Sequence, residues 1–221
     1  MAVPERAEGA VIDGQDGCRG GAGATPVPRR GPAASRATPA APGVAAVDRL
    51  LTAMSGAVAA GPPGPGRSGE FAATVLDELS RRYRRALRAH ARGAPLSEAW
   101  RVVLDADAAR PRVALAALTA LVDHDLPVAV VSAGTLLDHH PGEHERRRVA
   151  VLARLLVDPA HERACPGAAA GCAPDDGARS WAQAQRLWAL RGQPAAAAAE
   201  RSALDRRVAA HGRAVLAGGT C

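Results

Sequence analysis

Apolar residues recur at three- and four-residue steps along most of this chain. Val47, Leu50, Leu51, Met54 and Val58 make one broad stripe and predict a helix from about 44 to 60, which GPPGPGRSG at 61–69 ends. Phe71, Val75, Leu79, Tyr83 and Leu87 form the seam of a longer helix from Glu70 to about Arg92. Arg81, Arg84, Arg85, Arg88 and Arg92 fall on its other side. GAPLSEAW, 93–100, reads as a turn and a helix start with Ser97 as cap, and 102–107 suits a short strand or helix. Val113, Ala117, Leu118, Leu121 and Val122 give the next helix its apolar face.

LPVAVVSAGTLL, 126–137, is apolar on every side. As a strand it would belong to a buried sheet; its length and neighbours favour the central helix of a bundle, with Asp125 as N-cap and Pro127 in the first turn. A polar loop, 138–145, leads to a helix bearing Val149, Leu152 and Leu156 that Pro159 closes. SWAQAQRLWALRG, 180–192, places Trp181 and Trp188 seven apart on one face. A last helix carries Leu204, Val208, His211 and Val215. The expected fold is all-α: a single-domain bundle of about six or seven helices over 44–217. Ahead of it lies a disordered tail rich in Gly, Pro and Ala (1–43), and after it a short tail (218–221).

Composition changes this picture little. The hydrophobic fraction is 48% over 221 residues, enough for a core, although alanine supplies much of it. The net charge of +6 comes entirely from arginine and is interrupted by acids along the chain. With so few aromatic side chains for stacking, nucleic acid is a poor partner. The N-terminus lacks a secretion signal, the alanine runs are too short to span a bilayer, and the cysteines do not form a disulfide framework. A cytoplasmic protein with reduced Cys165 and Cys172, and no membrane attachment, is expected.

The chemistry concentrates in DHDLP, 123–127, which sets two carboxylates around an imidazole. Asp125 is either a helix cap or the principal polar group of an interior cavity, with His124 and Glu145 as proton-transfer partners. Leu121, Trp100, Trp181 and Trp188 would wall such a pocket, though core packing is the ordinary role of tryptophan. Asp138, His139, His140, Glu143, His144 and Glu145 offer metal ligands without a scaffold, and read first as a solvated loop. No nucleophile elbow or phosphate loop occurs, so neither a cofactor nor a defined metal site is expected.

VAAVDRLLTAM (44–54), PRVALAALTALVDHDLPVAVV (111–131), EHERRRVAVLARLLVDP (143–159) and the SWAQAQRLW helix with the segment after it (180–216) together resemble the DUF5995 family of helical, mostly actinobacterial proteins without an established activity. The resemblance implies a polar centre in which this chain departs from the pattern. Thr119 stands at an asparagine place, Leu121 at a histidine place, Glu145 at an aspartate place and Ala150 at an asparagine place, while Asp125 and Pro127 match. Two functions follow. One is a small-molecule enzyme of bacterial secondary metabolism centred on Asp125. The other is a non-catalytic helical module that binds an apolar small molecule or a partner, with a homodimer through the last two helices.

Overall fold

Helices form where the apolar stripes lie. The computed structural model describes residues 45, 47–49, 51–52, 55–56, 68–107, 110–164 and 177–218, all within one unit of contacts, Thr38–Cys221. Residues between 45 and 56 are helical where described, with Val47 and Leu51 buried. Helix α1, Ser68–Ala91, buries Phe71, Val75, Leu79 and Tyr83. It leaves Arg81, Arg84, Arg85 and Arg88 exposed, so the arginine stripe is the solvated face of an amphipathic helix.

Helix α2, Glu98–Leu104, settles 102–107 as a helix end rather than a strand. Ser97 caps it weakly, its hydroxyl accepting from the Trp100 N–H at 3.4 Å. The stronger cap comes from far along the chain. Both Asp205 carboxylate oxygens accept backbone N–H groups, of Glu98 and Ala99, at 2.9 Å each. Those are orphan donors of a first helical turn, which an anion satisfies well.

Three segments then run end to end: α3, Arg110–Thr119; a π-helical turn, Ala120–Asp125; and α4, Leu126–Leu136. The expected helix over 126–137 is present and the strand alternative is excluded. It does not start at Asp125, however. That residue has helical backbone angles, φ −83° and ψ −36°, and its side chain makes no capping bond. The chain was already helical, so no free N–H groups were left for a cap to serve.

Helix α5, Glu143–Ala164, continues through Pro159 instead of ending there. A proline removes one backbone bond, which bends a helix without always stopping it. Helices α6, Ala178–Ala189, and α7, Pro194–Ala217, complete the described residues, which hold these seven α-helices besides the helical residues between 45 and 56, and no strand. The expectations for residues 1–43, Cys165 and Cys172 lie outside them.

In the bundle α4 packs between α1 and α6, α3 between α5 and α7, and α2 lies along α7. The segment Arg112–Leu136 is apolar and long enough to cross a membrane, but most of its apolar stretch is buried inside the bundle. It is the innermost helix, which needs no polar face.

Candidate functional site

The π-helical turn follows from one residue. In a regular α-helix the N–H of position 127 would bond the carbonyl of Asp123, but proline has no N–H and its ring collides with that carbonyl. The chain widens instead, and the Leu126 N–H reaches back five residues to the Leu121 carbonyl. The same register leaves the Val122 carbonyl facing Pro127 without a donor. Ser180 of α6, itself buried, supplies one: its hydroxyl donates to the Val122 oxygen at 2.9 Å. A buried carbonyl left unpaired would cost about 1–3 kcal/mol.

Asp125 closes the wide turn and points inward, 2% exposed. Its Oδ2 accepts the Trp100 indole N–H at 2.8 Å, and its Oδ1 lies 2.9 Å from His124 Nδ1. The two neighbours therefore converge although they are adjacent in sequence. The other nitrogen of His124, Nε2, faces Asp205 Oδ1 at 3.6 Å. Arg82 completes the surroundings. Burial lowers its pKa, against the pull of the Asp125 carboxylate, and its Nε is buried without a hydrogen-bond partner. The ring of Tyr83 tilts against Trp100 at 5.5 Å, its hydroxyl pKa pushed up by burial and by Asp48.

Asp125, His124 and Trp100 thus come together, with Trp100 as a hydrogen-bond donor to the carboxylate. Leu121 is completely buried nearby in the chain, part of the apolar core. The remaining candidates lie elsewhere. Glu145 sits beyond the far end of α4, whose 11 residues span ~16 Å at ~1.5 Å each. Its Oε2 accepts the Gly142 N–H at 2.9 Å, while the Arg146 N–H bonds the Gly142 carbonyl at 3.0 Å. Gly142 is therefore the N-cap of α5, and Glu145 is the third-position acid reaching back to it, one half of a capping box. His139 Nε2 lies 3.3 Å from Glu145 Oε1. Burial would raise the Glu145 pKa, but hydrogen bonds from Gly142 and from its own backbone N–H, with the His139 ring beside it, hold it below the usual carboxylate value.

Trp188 belongs to this second end. Its ring meets His140 edge-on at 5.3 Å and carries the Arg191 guanidinium at 4.6 Å. Trp181 is half-buried against the core. The loop ligands turn to separate partners: His139 to Glu145, His140 to Trp188, and Glu143 to Arg146 and Arg147. Among the described residues no three His, Cys, Asp or Glu side chains gather where a metal ion would fit.

A groove of about 460 Å³ opens between α6 and α7, beside the π turn, with Asp123, Ser180, Gln183, Leu204, Arg207 and Val208 among the residues lining it. Sequence reasoning missed it. Its signal was in the chain: Arg179 and Arg186 recur at seven residues and Arg207 and His211 at four, spacings that put each pair on one helical face.

The DUF5995 family, a family of unknown function, matches residues 33–158, more than half of the chain. This chain belongs to DUF5995. Comparison with curated proteins and with solved structures returned no match. The DUF5995 match takes in Arg82, Trp100, the π turn and Glu145; Asp205 and most of the groove residues fall beyond it. At the places where the resemblance puts polar side chains, this DUF5995 member has Leu121 in the core, Thr119 bonded to the Leu115 carbonyl of its own helix at 3.1 Å, and Ala150 on α5.

Proposed function

We propose that this protein is a non-catalytic ligand-binding module, in which the Asp125 cluster holds the helices in place and the α6–α7 groove receives the ligand. One observation carries the reading: both Asp125 oxygens are occupied by protein groups, Trp100 Nε1 and His124 Nδ1, inside a side chain that is almost fully buried. A carboxylate in that state is satisfied. Glu145 and Trp188 serve the opposite end of α4, which leaves the expected enzyme site without two of its members. Among the described residues the exposed large hydrophobics, Leu136 and Val151, stand on α4 and α5, so they lend nothing to a homodimer through the last two helices.

The enzyme reading keeps one specific support. His124 is held between Asp125 and Asp205, and a carboxylate on Nδ1 is what orients an imidazole to exchange a proton at Nε2. On that reading His124 moves the proton, Asp125 positions it, and Trp100 with Leu121 borders the substrate.

A thermal-shift screen of the full chain against a library of small metabolites, followed by product analysis, separates the two. Ligands of the module should stabilise the fold, by about 2.7 kcal/mol at a hundredfold excess over Kd. His124→Gln should retain that stabilisation, and the ligand should be recovered unchanged. A product that forms with the natural chain and fails to form with His124→Gln would establish the enzyme instead.

A further inference from the structure

The α6–α7 groove has the makings of an oxyanion site. Arg179, Arg186 and Arg207 line it with His211, against the single carboxylate of Asp123. Its floor is apolar, formed by Leu204 and Val208, both of which are otherwise buried. Arg207 is held in position: its Nη2 donates to Gln183 Oε1 at 3.0 Å, while the Gln183 amide nitrogen donates to Glu200 Oε1 at 2.8 Å. Gln183 is buried, so this relay fixes the guanidinium at the groove without cancelling its charge. The nearest approach of Arg207 to Glu200 is 3.9 Å, a loose pairing. Arg186, exposed on α6, has no carboxylate partner among the described residues.

We infer that the groove binds a small molecule with an apolar body and one oxyanion head, a carboxylate or a phosphate monoester. Arg186 and Arg207 contact the head and Leu204 with Val208 receives the body. Guanidinium forks match the two oxygens of such heads, and hydrogen bonds between opposite charges are the stronger kind. A volume of about 460 Å³ is ample for a ligand of modest size. This rests on the groove being the binding surface, as proposed above.

The test uses the full chain labelled with nitrogen-15 and four six-carbon probes: hexanoate, hexyl phosphate, hexanol and hexylamine. Backbone and arginine side-chain signals are followed by NMR during titration. The anions should shift the Arg186 and Arg207 Nε signals saturably. Arg186→Gln should weaken their binding on the order of tenfold, with the amide spectrum otherwise unchanged. Arg88→Gln, on the solvated face of α1, should have no effect. Arg207→Lys provides a second variant that keeps the charge and loses the fork; it should weaken hexyl phosphate and hexanoate less than Arg186→Gln does. Hexanol binding in the groove as tightly as the anions would overturn the oxyanion assignment while leaving the groove as a ligand site. No saturable shift in α6 or α7 with any probe would overturn both.

Discussion

At the residue scale, Glu145 shows how a polar side chain can look catalytic and be structural. Its carboxylate caps α5 through Gly142 and faces His139, and these contacts hold its pKa below the ordinary 4.5. A carboxyl more acidic in the folded chain than in the unfolded one stabilises the fold above its unfolded pKa. That contribution is lost as pH falls from about 4.5 through the depressed value. Glu145→Gln should therefore flatten the acid limb of stability, measured by urea unfolding from pH 6 downwards, while still accepting the Gly142 N–H. Parallel curves for the two proteins would show that Glu145 gains nothing from being ionised. The signal for its role was present in the three-residue step from Gly142 to Glu145. Glycine at the cap position, in place of Ser or Thr, hid it.

At the element scale, Pro127 and Ser180 form a coupled pair across two helices. Ser180→Ala should lower stability by about 1–3 kcal/mol by stripping the Val122 carbonyl of its only identified donor. In a Pro127→Ala background the restored N–H can serve that carbonyl or return the turn to α-helical register, so the same serine change should cost much less. A double-mutant cycle by denaturant unfolding measures the difference, and additive effects would refute the register explanation. The amphipathic seam of α1 was legible because Phe71, Val75, Leu79 and Tyr83 repeat at helical spacing and nothing interferes. The turn at 120–125 was not. Proline near Asp125 reads locally as a helix start, and only the neighbouring α6, with a serine facing the orphan carbonyl, allows the helix to run on. Gly134 marks a second contact between α4 and α6: a methyl group there would lie 2.7 Å from Trp188 and 2.8 Å from the His139 carbonyl. Gly134→Ala should accordingly cost about 1–3 kcal/mol by overpacking, with a change in Trp188 fluorescence as its companion.

At the scale of the whole molecule, the Asp125 cluster ties together helices far apart in sequence that also meet in the apolar core. Arg82 brings α1, Trp100 brings α2, His124 and Asp125 the central helix, and Asp205 brings α7. Pairings over such separations carry no trace in local spacing, which is why Trp100 drew notice only as a large side chain and Asp205 drew none. Trp100→Phe keeps the ring and removes the N–H from Asp125. It should lower global stability by about 1–3 kcal/mol with an unchanged dependence on urea. If hydrogen exchange showed only α2 fraying while the rest kept its protection, the cluster would be a local fastening and not a global one.

The innermost helix also sets a problem of timing. Its apolar sides are enclosed partly by α6 and α7, which reach Ala217, whereas the helix itself is finished at Leu136. At ~5–20 residues per second, a ribosome leaves that greasy rod without its covers for several seconds. For that interval the newborn chain exposes a helix apolar and long enough to span a bilayer, and how soon the late arginine-studded helices fold over it sets how long it stays exposed.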